Sequence, residues 1–159
     1  MDKMKHVIFD CDGTLFDTSL TKYQLFQGIR ELLSELQGEC LFYVWTARGR
    51  NSTIKLLQDA GIYSYFDGIS TPDDSPGKPH VQGLVSLVGN SPKSSICVIG
   101  DSINDMIGAK NFGVLAFGAT WNNLSSREYL IQAGADFIVS HPSECSKLIQ
   151  LKLKGETHV

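Results

Sequence analysis

The chain lacks what would anchor a protein in a membrane, weld it with disulfides or spread it along a polyanion. No apolar run approaches the roughly twenty residues of a membrane-spanning helix. The opening MDKMKHVIFD meets acid after a few apolar positions and reads as neither signal peptide nor span. The four cysteines (Cys11, Cys40, Cys97, Cys145) form no CxxC pair and have no histidine at zinc-finger spacing. Buried thiols in a reducing cytoplasm are the expectation. Basic residues number 14 against 17 acidic, a net charge of −3. That excludes the positive field of a nucleic-acid or anionic-membrane binder. With 42% hydrophobic and 19% charged residues, the chain is too apolar for intrinsic disorder. It has no repeat, no low-complexity tract and no linker long enough to divide it. Its 159 residues are therefore expected to form one globular domain, 1–159, with a flexible tail at 152–159.

What the chain does contain is alternation. Short apolar runs at His6–Phe9, Leu41–Trp45, Phe66–Ile69, Ser95–Ile99, Val114–Phe117 and Phe137–Val139 read as strands. LFYVW is apolar at every position, as a strand buried on both faces should be. Between these runs lie helical stretches at Asn51–Ala60, Val81–Val88, Asn104–Asn111, Ser126–Gln132 and Ser143–Leu151. A longer helix is predicted over Ser19–Gln37, where Leu25, Ile29, Leu32, Leu33 and Leu36 make one apolar stripe that Gly38 ends. Three of the five prolines fall in one loop, STPDDSPGKPH. Strand–helix alternation predicts a doubly wound, three-layer α/β/α (Rossmann-like) parallel sheet with right-handed crossovers. In such a sheet, ligands bind outside the carboxyl ends of the strands.

The chemistry-bearing residues fall there. Asp10 and Asp12 follow the first strand, then Gly13 and Thr14. Thr46, Ala47, Arg48, Gly49 and Arg50 follow LFYVW; Lys78 opens a later helix; Asp101 and Asp105 follow SICVI. Three or four carboxylates cannot converge as bare anions, because each raises the pKa of the others. A hard divalent cation such as Mg²⁺ resolves the repulsion with oxygen ligands alone. Asp101 is expected at a helix N-cap with Asp105 one turn in. Lys78 and Thr46 add a point charge and a hydroxyl for phosphoryl oxygens, which completes a set suited to phosphoryl transfer. An EF-hand loop is excluded, since glycine stands at the fourth loop position and Thr21 replaces the closing glutamate.

These residues resemble the haloacid dehalogenase superfamily of phosphohydrolases from Val7 to about Pro142. DCDGTLFDT is similar to the first motif of that family, VWTARG to its second, GKPH to its third and GDSINDM to its fourth. The stretch from GATWNN to SHPSE is similar to the end of phosphoglycolate-phosphatase-like members. The resemblance implies a HAD-like core with Asp10 as nucleophile and Asp12 as general acid and base. It implies Mg²⁺ held by Asp10, the carbonyl of Asp12, Asp101 and Asp105. Thr46 and Lys78, with Ala47 and Arg48 beside them, would hold the phosphoryl group. Ala47 stands where many relatives carry Asn.

Such relatives insert a cap of several tens of residues. Here 36 positions separate Asp10 from Thr46, and 32 separate Thr46 from Lys78, so no cap fits at either point. Three readings follow: a phosphatase for a phosphoprotein or nucleic-acid end, a small-metabolite phosphatase lidded by a second copy, or a slowly turning-over receiver-like switch. Weak net acidity counts against a nucleic-acid track. Arg48 and Arg50 are candidates for a second anionic group. His6, His141 and His158 read as surface histidines, and so does His80, with a leaving-group contact as its alternative; Trp121 reads as core packing and Asn122 as a turn, with a place on the site rim as the alternative for both.

Overall fold

The structure, a computed structural model, describes residues 3–157. In chain order its elements are β1 (Lys3–Phe9), β2 (Phe16–Asp17), β3 (Gln24–Leu25), α1 (Ile29–Leu36), β4 (Cys40–Trp45), α2 (Arg50–Asp59) and β5 (Phe66–Ser70). Then follow α3 (Gln82–Val88), β6 (Ile96–Gly100), α4 (Ile103–Phe112), β7 (Leu115–Ala119), α5 (Arg127–Gln132), β8 (Phe137–Val139), α6 (Pro142–Lys152) and β9 (Glu156–Thr157). Six strands pair in parallel in the order β5-β4-β1-β6-β7-β8.

Side-chain alternation along the strands splits the core into two layers. Val7, Phe9, Phe42, Val44, Cys97, Ile99 and Phe117 face one way and pack with Leu32, Leu33 and Leu36 of α1, Leu57 of α2, and Cys145 and Ile149 of α6. Ile8, Tyr43, Trp45, Val98 and Ala116 face the other way, onto Leu84 of α3, Met106 and Ala109 of α4, and Leu130 of α5. Strands buried on both faces are why the apolar runs of the sequence carry no alternation. All four cysteines are free and buried.

The predicted helix over 19–37 forms only in its second half. Phe16–Asp17 and Gln24–Leu25 pair instead as a short antiparallel hairpin. The Asp17 carboxylate accepts from both the backbone N–H and the hydroxyl of Ser19, offering the chain a turn in competition with a helix. Gly28 then adopts φ 95°, and the helix starts after it. Leu25 belongs to the hairpin and joins the core from there. Among the described residues no cap-sized insertion interrupts the core.

Towards the end of the chain Leu153 is buried, Lys154 N–H donates to the Ser94 carbonyl at 2.9 Å, and β9 pairs antiparallel with the start of β1. Residues 158–159, His158 among them, lie outside the described residues. His6 is buried, not exposed, because it points from a central strand, and its Nδ1 lies 2.9 Å from the Tyr43 hydroxyl. His141 is exposed and caps α6. No helix among the described residues is long and apolar enough to cross a membrane.

Candidate active site

The carboxyl ends of β1, β4 and β6 open into one cleft of about 570 Å³, lined by Asp10, Asp12, Thr46, Ala47, Arg48, Lys78, Asp101, Ser102 and Asn104. Of the candidates from the sequence, Asp10, Asp12, Thr46, Ala47, Arg48, Lys78 and Asp101 line it and Asp105 and Arg50 do not, although Asp12 and Arg48 are 36 positions apart. Asp105 lies just behind, fully buried. Carboxylate oxygens of Asp10, Asp101 and Asp105 all fall within 4.8 Å of one another.

Each acid is positioned by its own local chemistry. Asp10 leaves β1 with its Oδ1 accepting from the Cys11 N–H at 2.8 Å. The chain then turns at Gly13, whose φ is 83° and where a Cβ would collide with the Asp101 carboxylate and Asn122. Asp101 accepts from the Thr14 hydroxyl at 3.2 Å and from Asn122 Nδ2 at 3.0 Å. The expected N-cap at Asp101 is displaced by one residue. Ser102 caps α4, accepting from Asp105 N–H, while Asp105 Oδ2 accepts from Ser102 N–H. This capping box fixes the Asp105 carboxylate and leaves Asp101 free to face the cleft.

Lys78 closes the floor. Its side chain is 6% exposed, and its ammonium donates to Asp10 Oδ1 at 2.8 Å and to Asp105 Oδ1 and lies 4.9 Å from the Trp45 ring centre. Burial pushes the carboxyls of Asp10 and Asp105 up to about 6, against the pull of Lys78. Burial also disfavours the Lys78 ammonium, but the two carboxylates outweigh it and hold the lysine charged. One cation between two buried acids, with a third acid beside them, leaves unbalanced negative charge. An all-oxygen set in that state fits a hard divalent cation.

Asp12 stands apart from that cluster. Arg48 grips it with a two-pronged fork, Nε to Oδ1 at 2.9 Å and Nη2 to Oδ2 at 2.7 Å. Burial alone would raise the Asp12 carboxyl, but Arg48 holds it below the usual range. Thr46 is buried at the end of β4, with its Oγ1 accepting from the Arg48 N–H. Arg50 points elsewhere. It bonds Asp74 twice and the Ile69 carbonyl once, tying α2 to the loop after β5. His80 is exposed and accepts from Gln82 N–H.

The sequence reading missed three contacts. Asn122 makes the expected turn through Leu124 N–H but also holds Asp101. Trp121 packs on the core and donates Nε1–H to the Thr14 carbonyl at 2.9 Å, bracing the first loop. Tyr23, on the hairpin loop, lies 5.3 Å from the Arg48 guanidinium. The Ser102–Asp105 spacing was a readable capping signal; Asn122 and Tyr23 carry none, being far from their partners in sequence.

A doubly wound parallel sheet with a carboxylate cleft at its carboxyl edge defines a HAD-like core. The chain belongs to the haloacid dehalogenase-like hydrolase family, whose match runs over residues 20–119. It is 29% identical over 128 residues to a phosphoglycolate phosphatase of Synechococcus elongatus, covering 79% of this chain and 59% of the relative. It is 31% identical over 137 residues to the phosphoglycolate phosphatase of Caulobacter vibrioides, covering 78% and 55%. The chain thus spans little more than half the length of these curated relatives. A haloacid dehalogenase-like hydrolase from Streptococcus pneumoniae shares its fold at TM-score 0.80 and 22% identity, over 94% of this chain and all of the other. A family member from Bacillus subtilis solved with magnesium superposes at TM-score 0.79 and 15% identity, over 92% and 99%.

Proposed function

We propose that the protein is a Mg²⁺-dependent phosphomonoester hydrolase that works through an aspartyl-phosphate on Asp10. The observation that carries this reading is a division of labour among acids. Asp10, Asp101 and Asp105 share one cation-sized space, while the Asp12 carboxylate stands outside it on the same cleft. Bound Mg²⁺ would be held by the three clustered carboxylates, with the Asp12 carbonyl, and would neutralise charge on the phosphoryl oxygens.

Asp10 attacks phosphorus and the bond to the leaving oxygen breaks; Asp12, which must first leave the Arg48 fork and take up a proton from solvent, hands that proton to the leaving oxygen to make an alcohol. Asp12 then takes a proton from water, the resulting hydroxide attacks phosphorus, and the Asp10–phosphorus bond breaks to release inorganic phosphate. Lys78 holds Asp10 in place and offsets its charge. Thr46 keeps its hydroxyl hydrogen for a phosphoryl oxygen, beside the backbone of Ala47. The names of the curated relatives, phosphoglycolate phosphatase among them, support a small phosphorylated metabolite as substrate. With no cap-sized insertion among the described residues, the leaving group is met by residues of the core.

The test is hydrolysis of p-nitrophenyl phosphate. Wild type should release phosphate with Mg²⁺ and stop on chelation, and Asp10→Asn should be inactive while folded. Activity that survives either change contradicts the proposal.

A further inference from the structure

The net charge of −3 hides one place where positive charge gathers with no acid lining it. At the amino edge of the sheet, where β6 and β7 begin, a cup of about 300 Å³ is lined by Lys93, Lys110, Lys152 and Lys154. No carboxylate among the described residues lines it. We propose that this cup binds a short phosphate chain, two or three phosphoryl groups long, free or carried by a nucleotide. It is separate from the catalytic cleft, which opens at the opposite ends of the same strands, and needs nothing of the chemistry proposed there.

Three segments bring the lysines together. Lys93 lies in the turn before β6, Lys110 in the last turn of α4, and Lys152 and Lys154 at the end of α6 and just beyond it. The Lys154 N–H donates to the Ser94 carbonyl at 2.9 Å, which holds the end of the chain against the Lys93 turn. Helix C-termini attract cations, and that accounts for Lys110 and Lys152 but not for Lys93 and Lys154. Lys110 is also paired, its Nζ donating to Asp136 Oδ2 at 2.7 Å and to the Val114 carbonyl at 3.3 Å. The other three have no ion-pair partner among the described residues. Two of them sit on rings instead. Lys93 Nζ lies 3.1 Å from the centre of Phe112, and Lys152 Nζ 5.6 Å from that of Phe137. Burial pulls the Lys93 ammonium below its ordinary pKa, which an anion beside it would reverse. Gathering such charges costs repulsion that a bound anion relieves.

The chemistry of the cup selects the ligand. Lysines are compact charges that meet phosphate oxygens from several directions, whereas a carboxylate is matched best by an arginine fork. No arginine lines the cup. Ser94, exposed at its edge, adds a hydroxyl, and Gly113 leaves the floor open, since a Cβ there would meet nothing within 4 Å. The volume lies at the small end of ligand pockets, and the lysines surround it without forming a track, so a phosphate chain fits better than a nucleic-acid strand.

The experiment titrates the full chain with tripolyphosphate in chelator, by calorimetry, with inorganic phosphate and ATP as further arms. Without Mg²⁺ the carboxylates of the catalytic cleft repel anions, so binding there does not contribute. One tripolyphosphate should bind per chain, at least about 10-fold tighter than inorganic phosphate. Lys93→Gln and Lys154→Gln should each weaken it by about 3- to 10-fold. Ser94→Glu, which puts a carboxylate in the cup at an exposed position, should abolish it. Lys55→Gln, an exposed lysine outside the cup, should leave it unchanged. All four variants should match wild type with p-nitrophenyl phosphate, because none touches the cleft. ATP binding at least as tightly as tripolyphosphate would assign the phosphate chain to a nucleotide, and weaker ATP binding to a free oligophosphate. No binding by wild type, binding that survives Ser94→Glu, or an equal loss in Lys55→Gln would overturn the site. Hexaglutamate binding as tightly as tripolyphosphate would overturn its assignment to phosphate.

Discussion

Replacing Lys78 by Met removes the cation that the structure places between Asp10 and Asp105. At 2.8 Å and an effective dielectric of about 20, each such contact is worth roughly 6 kcal/mol of attraction before desolvation is counted. Breaking a buried ion pair while leaving its partner charged typically costs about 3–5 kcal/mol. Without metal at pH 7.5, Lys78→Met should lose about that much, a large share of the roughly 5–15 kcal/mol of a typical domain. The pH dependence has a definite sign. Burial holds both carboxyls up at about 6 in the folded protein, against ordinary values near 4 in the unfolded chain. Between those values the folded state binds more protons, so this contribution to stability falls as pH rises from about 4 to about 6. Removing Lys78 pushes the carboxyls higher still and extends the window upward. Urea unfolding in chelator should therefore show a smaller loss at pH 5.5 than at 7.5, and saturating Mg²⁺ at pH 7.5 should also reduce it. Lys55→Met, which breaks an exposed pair with Asp59 one helical turn away, should cost no more than about 0.5 kcal/mol. A Lys78→Met loss below about 1 kcal/mol in chelator, or one that acid and Mg²⁺ leave untouched, would refute the reasoning.

Gly13→Ala should lower thermal stability by about 1–3 kcal/mol and diminish the Mg²⁺-induced rise in Tm, because the residue needs a positive φ and its methyl would displace Asp101. Asn122→Ala should weaken Mg²⁺ binding by about 10- to 100-fold in calorimetry while the fold persists, since Asp101 loses one of its two orienting bonds. The acid limb of Mg²⁺-dependent hydrolysis should fall near pH 6, where protons compete for Asp10 and Asp105, and should move lower as Mg²⁺ is raised. A limb that ignores metal concentration would contradict that.

The parallel sheet was legible because its strands are buried on both faces: LFYVW and SICVI can be little else. Once the strands are placed, the acids that follow them fall at the carboxyl edge, so Asp10, Asp12 and Asp101 were readable as a cluster. Side-chain contacts that override a pattern were not. The stripe from Leu25 to Leu36 is a good helical stripe, and only the Asp17 carboxylate and the turn at Gly28 reveal a hairpin followed by a short helix. Arg48 was taken for a phosphate contact, but nothing in the local sequence couples it to Asp12. His6 looked like a surface residue because a histidine before an apolar run gives no sign of the tyrosine on the neighbouring strand.

The central claim is that Asp10 carries the phosphoryl group in transit. Asp12→Asn tests it most directly with p-nitrophenyl phosphate, whose leaving oxygen departs without a proton. The first step then proceeds while the second, deprived of its base, is slowed. Mixing this variant with substrate and Mg²⁺, quenching in acid and mapping peptides by mass should find phosphate on Asp10, with one equivalent of nitrophenol released ahead of free phosphate. Free phosphate released in step with nitrophenol, and no phosphorylated Asp10, would contradict the account.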